Sequence, residues 1–316
     1  MRFSIVVPTY NEERDIAATL RHLLALEWRD VEILVVDDST DATPEIVNGF
    51  ADPRVRVIRP ERPEGRCGAR NLGVLQATGE IVVILNADVH LPPDFLGRLA
   101  AHYEQGADWV LVRSVVENLG DLFARYVEAV GRVEYHGPRS RQVNWTEGFS
   151  CRRKAAIDAG LFPTGFAVPL CAGEDGHFGE ALRTLGFRKV TDLDIVCTHV
   201  APATLGDYWR TQKGRGRGGP QVRRFLEGWS LGRIATRAGL RVVKTAAMTA
   251  TVLPMLWVAF RYAGASPHGR LDTVPFCWAW LVSQIAFSAG EWESLAQIRG
   301  AEAAVTSVAD SEACRS

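Results

Sequence analysis

Short runs of β-branched and aliphatic residues alternate with longer amphipathic stretches along the first part of the chain. The runs predict buried strands at Phe3–Val7, Glu32–Val36, Val55–Ile58 and Ile81–Leu85. Apolar residues at helical spacing predict helices between them at Glu12–Leu26, Thr43–Phe50 and Cys67–Gln76. Such alternation is typical of a doubly wound α/β domain with a mostly parallel sheet.

From Asp108 onward the pattern is less regular but continues the same domain. We expect strands at Trp109–Ser114, Val143–Ser150 and Asp194–Thr198, and helices at Leu119–Tyr135 and Asp175–Leu185. Residues 1–204 are therefore predicted to form one α/β domain.

Residues 205–244 differ in charge from what precedes them. They contain ten Lys or Arg residues against two acids, Asp207 and Glu227, with Trp209, Phe225 and Trp229 interspersed. A basic, aromatic-bearing amphipathic segment suits an anionic membrane surface, so we expect a juxtamembrane role. The alternative is an ordinary solvated helix face.

Residues 245–290 contain two uncharged stretches, Thr245–Phe260 and Thr273–Gly290. As helices they would extend roughly 24 and 27 Å, against a hydrocarbon core of about 30 Å. A spanning hairpin, a re-entrant pair and two helices packed on the catalytic domain all remain open. The positive charge before them favours a catalytic domain that faces the cytoplasm at the cell membrane. Residues 291–316 are predicted to be a disordered tail, because Ala301–Ser316 is small and polar.

Overall charge and cysteine usage narrow the class of protein. The chain has 36 Lys or Arg and 37 Asp or Glu among 316 residues, so its net charge of −1 gives no reason to expect nucleic acid as a partner. Six scattered cysteines without a C-x-x-C pair indicate a reduced protein with no zinc site. The apolar run after Arg2 is too short for a secretory signal.

Polar clusters follow the predicted strands at their carboxyl ends. The clusters are Pro8-Thr9-Tyr10-Asn11-Glu12, Asp37-Asp38-Ser39-Thr40-Asp41, Arg66-Cys67-Gly68-Ala69-Arg70-Asn71 and Asn86-Ala87-Asp88. Because parallel strands deliver their carboxyl ends to one edge of the sheet, we expect these clusters to converge. A cleft with acids and arginines suits a nucleoside diphosphate with Mg²⁺ or Mn²⁺, because a pyrophosphate leaving group needs its charge neutralised. No G-x-G-x-x-G follows the first predicted strand and no G-x-x-x-x-G-K-[ST] occurs, so dinucleotide and P-loop binding lose their main support.

Four of these motifs, taken in order, carry a family resemblance. The stretches Val6–Glu12, Val35–Ser39, Gly68–Asn71 and Leu85–Asp88 resemble family 2 glycosyltransferases of the GT-A fold over about the first 200 residues. The resemblance implies a Rossmann-like, mostly parallel sheet and a nucleoside-diphosphate sugar donor, with uridine as the favoured base. It implies that Thr9 and Asp38 contact the nucleobase, and that Asp88 holds the metal. The implied donor pocket also includes Pro8, Tyr10, Glu12, Arg70, Asn86 and Ala87.

One position departs from the family's aspartate-x-aspartate pattern. Asn86 stands first, and its amide oxygen can accept a hydrogen bond or ligate a hard cation but carries no charge. We therefore expect weaker metal affinity than with two carboxylates. The alternative is that Asn86 and Asp88 cap a helix near Pro92.

Further motifs in the second half of the domain resemble the acceptor side of the family. Glu174-Asp175 resembles an acidic pair whose second member deprotonates the acceptor, which is a task suited to a carboxylate. The alternative is that Asp175 interacts with the dipole of its own helix. His199 resembles a histidine that completes the metal or pyrophosphate site, against the structural role that a lone histidine more often has.

Two other segments match the family less closely. Thr146-Glu147-Gly148 loosely matches the acceptor-side strand. Gln212-Lys213-Gly214-Arg215-Gly216 resembles a Q-x-x-R pattern, but Gly216 replaces the usual aromatic residue, which argues against a processive polymerase.

The sequence thus predicts an inverting, metal-assisted glycosyltransferase that acts on an acceptor hydroxyl, of a lipid-linked or cell-envelope glycan, beside a membrane. Two alternatives remain at this point. A sugar-phosphate nucleotidyltransferase uses a similar sheet and metal site, but it would need a glycine-rich loop after the first strand. A non-catalytic, membrane-tethered protein that binds nucleotide sugars or glycans is compatible with Asn86 and Gly216.

Overall fold

The apolar runs near the N-terminus form the predicted parallel strands. The computed structural model describes residues 1–62, 65–136 and 144–313. Its first four strands are β1 (Phe3–Thr9), β2 (Val31–Asp37), β3 (Val55–Ile58) and β4 (Ile81–Ile84). All three pairings among them are parallel, and Val6 lies opposite Leu34 on one side and Ile84 on the other. The predicted doubly wound arrangement is therefore confirmed for this half of the sheet.

Helices connect these strands where the helical spacing of apolar residues predicted them. They are α1 (Ile16–Leu24), α2 (Thr43–Asn48) and α3 (Gly65–Gln76). The predicted apolar face of α1 is buried at Ile16, Leu20 and Leu23, which pack in the same core as Ile5 of β1. Burial of that face, rather than helix propensity alone, fixes a helix this short on the sheet.

The remaining strands complete a mixed sheet. They are β5 (Val89–His90), β6 (Trp109–Val116), β7 (Phe149–Arg152) and β8 (Lys189–His199). The order across the described sheet is β3-β2-β1-β4-β7-β6-β8-β5. β7 is antiparallel to both β4 and β6, and β5 is antiparallel to β8, whereas β6 and β8 are parallel. The strand predicted at Val143–Ser150 begins outside the described residues, and the observed strand lies later, at Phe149–Arg152.

The other helices follow in chain order. They are α4 (Phe95–Glu104), α5 (Leu122–Val130), α6 (Arg153–Asp158), α7 (Glu174–Thr184), α8 (Leu205–Phe225), α9 (Leu231–Thr251), α10 (Leu253–Ala263) and α11 (Thr273–Ala313). A π-helical turn, Gly131–Tyr135, follows α5, and a 3-10 turn, Gly269–Asp272, precedes α11.

The chain divides into two compact units. The first consists of Met1–Asn118, Gly131–Pro163 and Asp175–Ala201, and it contains the whole described sheet. The second consists of Leu119–Val130, Thr164–Glu174 and the chain from Pro202 onward, and it is helical in its described elements. The first unit ends near the predicted boundary at residue 204, but it excludes two segments that lie within residues 1–204.

The C-terminal region differs from the sequence prediction in two respects. Residues 291–313, predicted as a disordered tail, continue α11. The physical reason is burial within the second unit: Glu291, Ser294, Leu295 and Ile298 are all buried, at spacings that place them on one helix face. The stretch Thr245–Phe260 is not one straight helix, because α9 ends at Thr251 and Val252 takes a positive φ of 59°.

A helix that crosses a bilayer must be both long enough and apolar enough to span its hydrocarbon core. No single helix in the described part of the chain meets both requirements. The α9–α10 pair meets them jointly, but the two helices bend by 91° at their junction.

Candidate active site

The two strand ends after β1 and β2 are joined by a buried carboxylate. Thr9 Oγ1 donates a hydrogen bond to Asp37 Oδ1 at 2.7 Å, and Arg59 Nη1 lies 2.9 Å from Asp37 Oδ2. The Asp37 side chain is fully buried, so its charge is balanced by a neighbouring cation rather than by water. Asp38 is only half-buried, and its backbone N–H donates to Thr9 O at 3.1 Å. The two predicted nucleobase contacts, Thr9 and Asp38, therefore lie side by side.

The loop after β1 is held against the loop after β2 by side-chain to backbone hydrogen bonds. Asn11 has a positive φ of 60°, and its N–H donates to Ser39 Oγ at 2.8 Å. Its side-chain oxygen accepts from Thr40 N at 2.9 Å. The backbone N–H of Glu12 donates to Thr43 Oγ1 at 2.9 Å, which fixes the start of the next segment.

The side chains of this loop differ in their exposure. Tyr10 is 64% exposed, so its aromatic face is open to a ligand, and Pro8 before it is half-buried. Burial raises the pKa of Glu12, and the nearby charge of Asp15 adds to the shift, while Arg66 opposes it. Burial is thus the main reason why the Glu12 carboxyl holds its proton more tightly than an exposed glutamate does.

Arg70 is buried between β4 and the segment before β7. Its Nη2 atom donates to Asn86 Oδ1 and to Thr146 Oγ1, both at 3.1 Å, and its guanidinium lies 5.2 Å from the centroid of the Phe162 ring. The ring is held in turn, because Asn71 exchanges two 2.8 Å hydrogen bonds with the Phe162 backbone. The predicted donor residues Arg70 and Asn86 are thus in direct contact.

The turn Asn86-Ala87-Asp88 leads into β5, next to the end of β8. Ala87 is buried, and its carbonyl accepts a hydrogen bond from Thr19. The Asp88 carbonyl accepts from Val200 N at 3.3 Å, and Val89 lies opposite His199 in the ladder. His199 Nδ1 lies 2.7 Å from Ser114 Oγ, so its ring is oriented by β6. The two residues predicted to hold metal therefore lie on adjoining segments.

Several carboxylates influence Asp88. Burial is the largest cause that raises the pKa of Asp88, to about 7, followed by the negative charges of Glu147, Glu12 and Asp15. A carboxyl in such surroundings is poorly stabilised as an anion unless a cation compensates it. The donor set therefore fits a hard divalent cation.

The described residues do not form a complete metal cage. No group of three or more His, Cys, Asp or Glu side chains with ligating geometry occurs in the part of the chain that the structure describes. Mg²⁺ commonly binds through one or two carboxylates, several waters and substrate phosphates, rather than through an all-protein cage. Asp88 with His199 is compatible with that mode, in which the nucleotide supplies further ligands.

The predicted acceptor-side acids begin α7. Glu174 is 3% exposed and belongs to the second unit, whereas Asp175 is half-buried and belongs to the first. Asp175 Oδ1 accepts a hydrogen bond from Gly176 N at 2.8 Å, a contact at the N-terminus of the helix. The interaction with its own helix, named above as the alternative, is therefore present, and the catalytic role of Asp175 stays a prediction.

The basic segment of residues 205–244 is extensively paired within the second unit. Acids of α11 form ion pairs with five of its ten bases: Glu291 with Arg223 and Arg241, Glu293 with Lys213 and Arg217, and Glu302 with Arg224. Because the acids lie 50 to 80 residues further along the chain, the sequence window around the bases did not reveal them. At least half of the positive charge expected to attract anionic lipid is engaged by acids of the same unit.

Apolar side chains of the second unit are nevertheless widely exposed. The largest exposures are at Leu271 with 85%, Leu253 with 74%, Val274 with 73%, Val243 with 66% and Trp257 with 65%. They come from α9, α10, the 3-10 turn and the start of α11. An exposed apolar set of this size is typical of a protein or membrane contact.

Sequence reasoning missed two residues near the donor cluster. Arg59 follows β3 and compensates Asp37, and Asp15 contributes to the raised pKa values of Glu12 and Asp88. Arg59 follows a predicted strand at its carboxyl end, so the rule used for the other three strands would have found it. Asp15 lies inside the predicted helix Glu12–Leu26, and no pattern distinguished it.

Comparison with known proteins gives a family for this arrangement. Residues 4–166 match the family described as Glycosyl transferase family 2, which is more than half of the chain. The glycosyltransferase AglE of Haloferax volcanii is 27% identical over 273 residues, covering 84% of this chain and 82% of that protein. The succinoglycan biosynthesis protein ExoO of Rhizobium meliloti is 39% identical over 117 residues, or 37% of this chain.

Other matches cover a smaller share of the relatives. The ExoO match spans 32% of that protein. The bactoprenol glucosyl transferase of Shigella phage SfX is 35% identical over 119 residues, which are 36% of this chain and 39% of the relative. This chain thus covers only about a third of the length of these two proteins.

A solved structure shares the fold. The mannosyltransferase PcManGT from Pyrobaculum calidifontis, in complex with GDP-Man and Mn²⁺, superposes with a TM-score of 0.60 and 24% identity, covering 93% of this chain and 87% of that one. The likeness confirms the predicted α/β, mostly parallel GT-A fold followed by C-terminal helices. Together with the family match over more than half of its length, it shows that this chain belongs to glycosyl transferase family 2.

Proposed function

We propose that the protein transfers a sugar from a nucleoside-diphosphate donor, with uridine as the favoured base, to a hydroxyl of a lipid-linked or cell-envelope glycan, with inversion at the anomeric carbon. One observation carries the proposal: Thr9, Asp38 and Asn86-Ala87-Asp88 lie at the carboxyl ends of three adjacent parallel strands, β1, β2 and β4. Ligands of open α/β sheets bind at that edge. Family membership supports the same reaction class.

In this proposal the donor lies along the edge of the sheet. Asp38 and Thr9 contact the nucleobase, and the exposed Tyr10 ring lies beside them. Pro8, Glu12, Arg70, Asn86 and Ala87 complete the pocket. Arg70 places a buried positive charge beside Asn86, on the turn that carries Asp88, where the diphosphate would develop negative charge.

A divalent cation, Mg²⁺ or Mn²⁺, would neutralise charge on the pyrophosphate leaving group. Asp88 and His199 would hold it. The raised pKa of Asp88 supports this assignment, because its carboxylate is surrounded by other acids and fits a compensating cation.

The acceptor hydroxyl would attack the anomeric carbon in line with the departing diphosphate. Asp175, with Glu174 before it, is the residue we assign to accept the hydroxyl proton. Attack from the side opposite the leaving group inverts the anomeric configuration. An Asp175→Asn variant should lose turnover and keep nucleotide binding. NMR analysis of the product gives its anomeric configuration, and a product that retains the configuration of the donor would contradict the mechanism.

The exposed apolar surface of the second unit supports a place at the membrane surface. Leu253 and Trp257 on α10 and Leu271 beside it would enter the interface of the cytoplasmic leaflet, as amphipathic monotopic helices do. The double variant Leu253→Ser/Leu271→Ser should co-sediment less with phospholipid vesicles than the parent. Leu75→Ser, at a half-exposed leucine of the first unit, is the matched control. Equal sedimentation of all three proteins would argue against this surface.

A thermal-shift screen of nucleoside diphosphates with Mn²⁺ or Mg²⁺ tests the donor site. A ligand at 100 times its Kd that binds only the native state stabilises it by about 2.7 kcal/mol. We expect at least one diphosphate to raise the melting temperature, more with metal than without. Asp88→Asn should abolish the part that depends on metal, and Asp158→Asn, at an exposed helix end, should retain it.

No shift with any nucleoside diphosphate, with either metal, would refute the donor site. The product released during turnover separates the alternatives of the sequence analysis. A glycosyltransferase releases the nucleoside diphosphate, a nucleotidyltransferase releases pyrophosphate, and a non-catalytic binding protein releases neither.

A further inference from the structure

A cavity of about 240 Å³ lies in the first unit, apart from the residues assigned to the donor. It is lined by Arg113, Arg132, His136 and Leu193. Three of these four side chains carry nitrogen donors, and none is an acid. A cavity of this size and composition fits a small oxyanion better than an apolar ligand.

An irregularity in the sheet forms one wall of the cavity. β6 and β8 are parallel, but their register shifts so that Val112 lies opposite Asp192 and the next residue, Arg113, lies opposite Val196. β8 therefore carries three extra residues there, of which Leu193 lines the cavity. An irregularity of this size interrupts the ladder and redirects the side chains on either side of it.

Two acidic residues, Asp192 and Asp194, lie next to this bulge. Asp192 Oδ2 lies 2.8 Å from His102 Nε2, and its Oδ1 accepts from Asp194 N at 2.9 Å. Asp194 is exposed. Neither side chain is part of the cavity lining, so the bulge does not neutralise the charge of Arg113 from within the cavity.

The opposite wall is built by the π-helical turn Gly131–Tyr135, which contains Arg132. His136 N donates to Gly131 O at 3.0 Å, the wide hydrogen bond that defines such a turn. The His136 ring packs edge-on against Trp145 with centroids 5.6 Å apart, and Trp145 Nε1 donates to Val112 O at 2.9 Å. Both walls are therefore tied to Val112, the strand residue where the register shifts.

Arg113 supplies the feature that points to a ligand. Its Nε atom is buried and, among the described residues, has no hydrogen-bond partner. A buried donor of a charged group that stays unsatisfied carries the full desolvation cost of that group. A phosphate oxygen would satisfy it, because the planar guanidinium matches phosphate with parallel hydrogen bonds.

We propose that this Arg113 cavity binds a phosphate group of the acceptor; the assignment to the acceptor rests on the proposed function. Arg113 lies opposite Val196, which precedes His199 by three residues, or about 10 Å along β8. Reacting atoms must approach to about 3–3.5 Å, so a phosphate held at this distance anchors the acceptor and does not itself attack the sugar. The acceptor class is thus a glycan that carries both the attacking hydroxyl and a lipid-linked phosphate.

Anion binding to the full chain, saturated with the best nucleoside diphosphate and Mn²⁺, tests the proposal. The probes are inorganic phosphate, a short-chain prenyl phosphate and the corresponding neutral prenol, titrated by calorimetry. We expect both phosphates to bind, and Arg113→Gln to weaken each by tenfold or more. Arg98→Gln, at an exposed arginine of the same unit, should bind both as the parent does.

Leu193→Glu provides a second variant that leaves Arg113 in place. It adds a negative charge to the lining and should weaken phosphate binding to a similar extent. If Arg113→Gln fails to fold, Leu193→Glu still tests whether the cavity binds phosphate. Nucleoside diphosphate binding should remain at the parental level in both variants.

Three results would overturn the proposal. They are no phosphate binding by the nucleotide-saturated parent, loss of nucleotide binding in an Arg113→Gln protein whose thermal unfolding matches the parent, and equal binding of prenol and prenyl phosphate. Binding of inorganic phosphate alone would overturn the assignment to a lipid-linked acceptor. If no nucleotide binds at all, the same titration without nucleotide still tests the cavity, so failure of the donor site and failure of the cavity are distinguishable.

Discussion

The Nη2 atom of Arg70 donates a hydrogen bond to Oδ1 of Asn86 at 3.1 Å, and Arg70 is 1% exposed. Asn86 is the residue that departs from the family's aspartate-x-aspartate pattern. Its amide oxygen accepts a hydrogen bond from a buried arginine. The asparagine therefore has a structural role in addition to changing the charge of the metal site. Asn86 thereby links the end of β4 to α3, which carries Arg70.

Replacing Asn86 with leucine should destabilise the protein. A leucine removes an acceptor of the buried guanidinium, and loss of one partner in such a pair costs on the order of 1–3 kcal/mol. Asn86→Asp should unfold at the same or a higher urea concentration than the parent, because a carboxylate gives Arg70 a charged partner. Urea unfolding measures both effects.

Asn48→Leu, at an exposed position at the end of α2, is the matched control for Asn86→Leu. It should unfold within about 0.5 kcal/mol of the parent, as most exposed substitutions do. Equal stability of Asn86→Leu and this control would show that Arg70 does not depend on Asn86.

The adjacent acids Asp37 and Asp38 should separate into a structural and a binding residue. Asp37 is buried and contacts both Thr9 and Arg59, so Asp37→Asn should lower the free energy of unfolding by on the order of 1–3 kcal/mol. Asp38→Asn should leave thermal unfolding nearly unchanged and weaken nucleotide binding, because half-buried Asp38 is the proposed nucleobase contact. Equal effects of the two substitutions on both measurements would contradict this separation.

The parallel half of the sheet could be predicted from the sequence, because buried parallel strands read as continuous apolar runs. Phe3–Val7 and Ile81–Leu85 both fall on observed strands. The two-residue strand β5 could not be predicted, since Val89 and His90 are too few to show a period and are specified by pairing with β8. The register shift at Arg113 is likewise a tertiary feature that no local pattern records.

The site was predictable to the extent that it depends on strand ends. Thr9, Asp38 and Asn86 follow adjacent strands, so topology alone brings their segments to one edge. The contact between Arg70 and Asn86 depends on side-chain packing around Phe162, and no local sequence pattern predicts that packing. The ion pairs of the basic segment depend on α11, far along the chain, and were therefore missed.

A close helix contact explains why Gly216 replaces an aromatic residue. A Cβ at Gly216 would lie 2.1 Å from Phe287 O, so α8 and α11 meet there backbone to backbone. Gly216→Ala should force them apart and lower the free energy of unfolding by about 1–3 kcal/mol. Gly214→Ala on the same helix meets nothing within 4 Å and should stabilise by up to about 1 kcal/mol through helix propensity. Chemical unfolding that gave the same sign for both would contradict this packing.

A buried ion pair between α5 and the 3-10 turn should make the stability of the second unit depend on pH. Arg125 Nε lies 2.9 Å from Asp272 Oδ2 and Arg125 Nη2 lies 3.2 Å from Oδ1, and both residues are buried. Burial alone would raise the pKa of Asp272, but hydrogen bonds from Arg125 and Ser266 outweigh it and hold that pKa below its usual value. The folded state therefore binds the Asp272 proton more weakly than the unfolded state does.

The sign of the pH dependence follows from that difference. The stabilisation from Asp272 is complete above the unfolded pKa of about 3.9, and it is lost as the pH falls through the lower folded pKa. Asp272→Asn should be less stable than the parent by about 3–5 kcal/mol at pH 7, because Arg125 is left buried without its charge partner. The difference should narrow below about pH 4, where the parental carboxyl becomes protonated.

Urea unfolding at pH 7, 5 and 3 measures this difference directly. The double variant Arg125→Met/Asp272→Leu removes both charges, so it should recover much of the stability lost in Asp272→Asn at pH 7. Its free energy of unfolding should differ from that of Asp272→Asn by the same amount at each pH, because neither variant carries the carboxyl group. The difference in free energy of unfolding between Asp272→Asn and the parent could instead be the same at all three pH values. That result would mean that the carboxylate charge does not stabilise this contact and that packing of the 3-10 turn on α5 stabilises it instead.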